Sequence, residues 1–179
     1  MNPNLDDILR ECTVFRESFM TLMMATVSEH GQPDASYAPF VSEPDGSFLI
    51  YVSELSRHTA NLRSTHAASV LLIEAEQDAK QLYARRRLTL PCQAIHIPRD
   101  DAVWDTILDR FKARFGNLVD VLRQMGDFHL YRLRPKGGTY VRGFAQAYEL
   151  RGPDLTQMKH IRDQGHSSGA PSTQPDVPS

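Results

Sequence analysis

Two stretches of this sequence gather side chains able to hold an anion. In SELSRHTANL, residues 53–62, serine, threonine and free backbone amides stand at a helix start, where Arg57 and His58 add fixed and switchable positive charge. The same residues also read as a capped surface helix. In QLYARRRLTL, residues 81–90, an extended backbone sets Tyr83, Arg85, Arg87 and Thr89 on one side and Leu82, Ala84, Leu88 and Leu90 on the other. Arg85 and Arg87 would then stand roughly 7 Å apart, a spacing that suits one anionic group or two neighbouring ones. Arg86 falls on the apolar side and must pair or snorkel. The alternative is a solvated basic strand.

Seven histidines are present, and none shares an HExxH-like spacing that brings two ligands to one helical face. His30, His66 and His96 suit structural roles in a turn, a helix end and a strand, and His129 alternates with Asp127 and Tyr131. The last two histidines differ. In DLTQMKHIRDQGH, residues 154–166, Leu155, Met158 and Ile161 can anchor a short helix, while His166 follows Gly165, where the chain is free to leave that helix. Cys12 and Cys92 form no CxxC pair, so they read as separate buried thiols and not as a zinc site or a disulfide.

These residues need a scaffold, and the hydrophobic pattern supplies one. Leu5, Ile8, Leu9, Cys12, Phe15 and Phe19 follow helical spacing after Asn4, which predicts a helix over 4–18. TLMMATVS, DASYAPFV and SFLIYV, separated by turn residues, predict an antiparallel meander. RHTANLRST predicts a helix with Ser56 at its cap, and ASVLLIEA, QLYARRRLTL and CQAIHI predict strands, the last two divided by Pro91. A helix follows from Asp100 to Gly116, a shorter one in NLVDVLRQM, then strands in DFHLYRLRP, TYVRGF and AQAYELRG. In GFAQAYEL, Gly143, Ala145 and Ala147 share one face of an extended strand, where large side chains are kept away from the backbone. The expected fold is mainly β with peripheral helices, an antiparallel barrel.

The chain has 179 residues, 41% hydrophobic and 23% charged, which suits one compact domain. The division expected is a barrel domain over 1–153, a segment over 154–166, and a tail over 167–179 too poor in bulky side chains to order itself. A net charge of -2 gives no general attraction for nucleic acid. The polar, acidic start MNPNLDD and the lack of a long apolar run point away from a signal peptide and membrane insertion, and so to the cytoplasm.

ASYAPF, SRHTANL, AKQLYARRRLTL, GDFHLYRL and GFAQAY, in this order, resemble the HugZ/HutZ haem-utilisation proteins. These belong to the pyridoxamine 5'-phosphate oxidase-like superfamily of FMN-binding split-barrel type. The resemblance spans about Thr21 to His166. It implies a homodimer of split barrels with two haem clefts, each built from both chains, in which haem is bound and degraded with O2 and a reductant to release iron. It also implies His166 as the axial ligand of the haem iron, and an intersubunit hydrogen bond between Asp127 and His58 as the catalytic pair. Arg87 and Thr21 would lie near the haem edge, with Arg85 or Arg87 meeting the propionates. An electron donor and a haem-delivery protein would be its partners. Flavin-binding relatives place a lysine after the serine of the short helix, whereas this chain has Arg57, His58 and Thr59, so FMN is the weaker alternative. A haem carrier or storage protein without turnover is the other.

Overall fold

The computed structural model describes residues 4–161. Helix α1, Leu5–Glu17, begins where Asn4 accepts a hydrogen bond from the Asp6 N–H at 3.1 Å, and it buries Ile8, Cys12 and Phe15. Strands β1 (Thr21–Val27), β2 (Pro33–Ser42) and β3 (Phe48–Ser53) form the expected meander. Helix α2, Arg57–Thr65, leads into β4, Ala67–Ile73, and then β5, Arg87–Ile97. Helices α3 (Trp104–Phe115) and α4 (Leu118–Gln124) precede β6 (Phe128–Pro135), β7 (Gly138–Gly143), β8 (Gln146–Arg151) and β9 (Gln157–His160). The sheet order is β4-β1-β2-β3-β6-β5-β7-β8-β9, and a further β4–β5 pairing closes the first six strands into an antiparallel barrel. β7, β8 and β9 extend from the first residues of β5.

Two apolar cores hold this arrangement. One fills the barrel and is plugged by Ile8, Cys12 and Phe15 of α1. The other lies outside it, where Trp104, Ile107, Leu108 and Phe111 pack on Leu49, Tyr51 and Leu130. β3 is therefore covered on both faces, which explains why SFLIYV is continuously apolar instead of alternating. Burial pushes the thiols of both Cys12 and Cys92 up to about 12, and both are free.

Three local readings are corrected. QLYARRRLTL is not one strand. The β4–β5 ladder ends at Ile73 and Arg87, so the residues before Arg87 have no partner on β4, and Leu82–Ala84 coil into a 3-10 turn with Leu82 and Tyr83 exposed. Pro91 does not divide two strands but lies inside β5, where pairing passes from β7 to β6. Its carbonyl accepts the Lys136 N–H at 2.9 Å, and its missing N–H falls at that changeover, where no ladder bond is lost. Finally, the predicted helix near the C-terminus is β9. Positive φ at Gly152, Asp154 and Leu155 turns the chain back, and Met158 and His160 then alternate opposite Leu150 and Tyr148.

Candidate functional site

The barrel is split between β2 and β3. Only Phe40, Val41 and Ser42 of β2 pair with β3, while Pro33 to Pro39 pair with β1 alone. The Phe40 N–H bonds to the Met20 carbonyl, so strand alternation turns Pro39 toward β3, and proline has no N–H to offer there. The strands diverge at that residue. They leave an open groove of about 760 Å³ bordered by β2, the end of β3, Phe128 and the start of α2.

α2 is fixed to the barrel by polar bonds. Asn61 donates to the Thr26 hydroxyl at 3.0 Å, and Thr59 donates its hydroxyl to the Ser53 carbonyl at 2.6 Å. This sets His58 in the groove wall at 8% exposure, and among the described residues its Nε2 has no hydrogen-bond partner. Burial lowers its pKa from the ordinary 6.5, opposed by the Asp34 carboxylate. A buried ring nitrogen without a partner is costly unless something outside the subunit bonds to it. Arg57 stands exposed on the same rim and has no ion pair among the described residues. Ser56 occupies the cap position, but its side chain makes no capping bond.

Asp127 lies just before β6, between Gly126 and the groove residue Phe128. Its carboxylate accepts the Ser53 hydroxyl at 2.8 Å and its carbonyl accepts the Glu54 N–H at 2.8 Å. No hydrogen bond joins it to His58 of the same subunit.

The arginines separate. Arg85 turns away, bonding to the Glu74 carbonyl and to Glu76 at 3.3 Å, so it does not share a strand face with Arg87. Arg86 pairs as expected, lying over Phe15 at 4.6 Å with Glu74 at 3.9 Å. Arg87 donates only to the Arg85 carbonyl and has no carboxylate partner among the described residues.

Strand register then brings scattered residues into a line. Thr21 lies opposite Pro39, Met23 opposite Leu71, Ile73 opposite Arg87, Arg87 opposite Val141, and Val141 opposite Ala147. Ile161 donates its N–H to the Ala147 carbonyl at 2.8 Å. Their sequence neighbours Leu22, Leu72, Leu88, Tyr140 and Tyr148 are buried inside, so this row lies on the outer barrel face. It runs from the groove edge past Thr21 and Arg87 to the last described residue. His166 lies outside the described residues.

GFAQAYEL is a hairpin and not one strand, since Phe144 and Ala145 form the turn between β7 and β8, with Ala145 at φ 57. Among the described residues nothing explains Gly143: a Cβ there would meet no atom within 4 Å. Phe144 beside it is 82% exposed. The resemblance implied a split barrel and a partner for His58 across the dimer, but the residues by themselves showed neither where the barrel splits nor that the His58 nitrogen goes unpartnered locally, because both depend on which strands separate. A second groove, about 530 Å³, lies between α1, residues 74–86 and the β7–β8 hairpin. Its charges largely satisfy one another, as with Glu11 and Arg142 at 2.7 Å, so the first groove is the stronger candidate.

The pyridoxamine 5'-phosphate oxidase family profile matches residues 8–142. The chain is 42% identical over 156 residues to the heme oxygenase HutZ of Vibrio cholerae, covering 87% of this chain and 88% of that protein. A crystal structure of HutZ, there named a heme storage protein, superposes with TM-score 0.66 at 40% identity over 70% of this chain and 88% of that one. That of Campylobacter jejuni ChuZ superposes with TM-score 0.79 at 31% identity over 97% of this chain and 68% of that one.

Proposed function

Because this chain belongs to the pyridoxamine 5'-phosphate oxidase family, and within it to the HugZ/HutZ haem-utilisation proteins, we propose that it binds haem between two copies of itself and degrades it with O2 and a reductant. The observation carrying this reading is His58, buried in the wall of an open groove with an Nε2 that has no partner among the described residues. In a two-fold dimer, Asp127 of the partner subunit accepts from that nitrogen, and each cleft is built from both chains. The residues present suit haem as substrate. Aromatic rings of Tyr37, Tyr51 and Phe128 border the groove, and the unpaired guanidinium groups of Arg57 and Arg87 suit propionates.

His166 ligates the iron in this reading. It lies five residues beyond Ile161, and five residues span at most about 17 Å. Arg87 stands three strand positions from Ile161, about 14 Å, so the segment is long enough to reach back over the row. A neutral imidazole leaves the opposite side of the iron open to O2. His58 and Asp127 hold a proton between subunits and orient the cleft wall, and an electron donor and a haem-delivery protein meet the dimer in the cytoplasm. Among the described residues no helix is long and apolar enough to cross a membrane.

Haemin titration of the purified protein tests the reading. A single intense Soret band that disappears on adding ascorbate in air, with chelatable iron released, is expected for turnover. A stable Soret band under reductant leaves the storage reading that one HutZ description names. Two broad flavin bands in the purified protein replace both with an FMN oxidoreductase. His166→Ala should weaken haem affinity at least tenfold, and an unchanged spectrum and affinity would remove His166 as ligand.

A further inference from the structure

Ser53 is the last residue of β3, where the barrel strand ends and the turn into α2 begins. Both of its oxygens are committed. Its hydroxyl donates to Asp127 Oδ2 at 2.8 Å, and the same oxygen accepts the Leu55 N–H at 3.2 Å. Its carbonyl accepts the Thr59 hydroxyl at 2.6 Å, and Thr59 follows His58 and is 1% exposed. One residue thus grips the carboxylate from one side and the first turn of the His58 helix from the other.

From this geometry we infer that Ser53 is a positioning residue for haem turnover. A carboxylate has two oxygens, and free rotation would share a single donor between them. The Ser53 hydroxyl, itself oriented by the Leu55 amide, occupies Oδ2 and leaves Oδ1 as the oxygen able to accept from outside the subunit. The peptide of Asp127 cannot turn to compensate, because its carbonyl is held by the Glu54 N–H at 2.8 Å. Arg99 secures the same loop from behind, stacking on Trp104 at 5.3 Å and donating to the carbonyls of Met125 and Phe128 on either side of Gly126 and Asp127. Only the carboxylate torsion is left free, and Ser53 sets it. In a two-fold dimer each subunit gives Asp127 to one cleft and His58 to the other. Ser53 is therefore hydrogen-bonded both to the residue given to one cleft and to the helix that gives His58 to the other.

This inference rests on the reading that Asp127 acts in haem turnover, and the test separates the two. Ser53→Ala, Ser53→Thr, Asp127→Asn and the double variant Ser53→Ala with Asp127→Asn are compared for haem affinity, melting temperature and turnover under ascorbate. Ser53→Ala should lower turnover about tenfold, the effect of one hydrogen bond to a charged group, with haem affinity within about twofold. Ser53→Thr keeps the hydroxyl and should restore most of the rate, which a purely packing role would not predict. The double variant should turn over no more slowly than Asp127→Asn alone, since Ser53 acts only through that carboxylate. Additive losses, or a Ser53→Ala rate equal to the parent's, would overturn the role of Ser53 while leaving Asp127 in place. An Asp127→Asn protein with the parent's rate would instead remove the catalytic reading, and Ser53 with it. Should Ser53→Ala fail to fold, Ser53→Cys, which replaces the hydroxyl with a weak donor, is measured in its place against the same outcomes.

Discussion

His58 is a base whose environment opposes its charge. Burial lowers its pKa below 6.5, with Asp34 pulling weakly the other way, and burial lowers His96 similarly with help from the neighbouring His129. A base with a depressed folded pKa takes up fewer protons folded than unfolded. The stability it supports is present above about pH 6.5 and is lost as the pH falls toward the folded value. In the proposed dimer, Asp127 of the partner subunit acts on His58 in the opposite direction, favouring the charged ring. Asp127→Asn should therefore melt at an increasingly lower temperature than the parent as the pH is taken from about 7.5 to about 5.5. Thermal melts across that range check the sign, and equal slopes for the two proteins would show that the carboxylate does not reach the ring. The type and position of His58 were plain in the sequence. Its lack of a partner was not, because that depends on what lies across the groove.

Elements with their own repeating pattern were legible, and those defined by a missing neighbour were not. Helix α1 and the meander follow from local spacing and turn residues, and α3 from its apolar stripe. Residues 81–85 alternate as a strand would, yet the chain beyond β4 has turned away after Glu74, whose N–H still bonds to the Arg86 carbonyl. The strands of the β7–β8 hairpin were legible as TYVRGF and AQAYELRG, but the single strand face read through Gly143, Ala145 and Ala147 was not there, because Phe144 and Ala145 are unusual turn residues, Ala145 taking a positive φ without glycine. The two glycines of β7 now separate a structural demand from an external one. At Gly138 a Cβ would strike the Leu90 side chain and sit 2.9 Å from the Thr89 carbonyl, which belongs to the paired backbone and cannot yield. Gly138→Ala should destabilise by about 1–3 kcal/mol, read from denaturant midpoints. Gly143→Ala meets nothing among the described residues and should stay within about 0.5 kcal/mol. If haem or a second copy approaches there, Gly143→Ala should weaken haem binding or dimerisation despite normal stability. A variant that matches the parent in all three would make that glycine incidental.

At the scale of the molecule, the barrel closes, but among the described residues one outer face lacks a cover. α3 and α4 occupy the outside of β3 and β6, and α1 plugs the interior. On the opposite wall, Met23 and Tyr37 face each other across β1 and β2 at 47% and 68% exposure, beside the row that carries Thr21 and Arg87. Apolar side chains set side by side on a strand pair, bordering a groove whose histidine lacks a partner, are what a second copy of the same chain would bury. The alternation of TLMMATVS already marked one exposed face, but which face α-helices would leave bare depends on the long-range order of the strands. Met23→Glu places a charge in that contact while leaving the barrel interior untouched, so the melting temperature should move by no more than a few degrees. Sedimentation should then show a monomer where the parent is a dimer. Haem uptake should weaken at least tenfold, since neither subunit alone has both His58 and the facing Asp127. A parent protein that sediments as a monomer, or a monomeric Met23→Glu variant that takes up haem as tightly as the parent, would mean that one barrel suffices and that the unpartnered imidazole waits for the ligand itself.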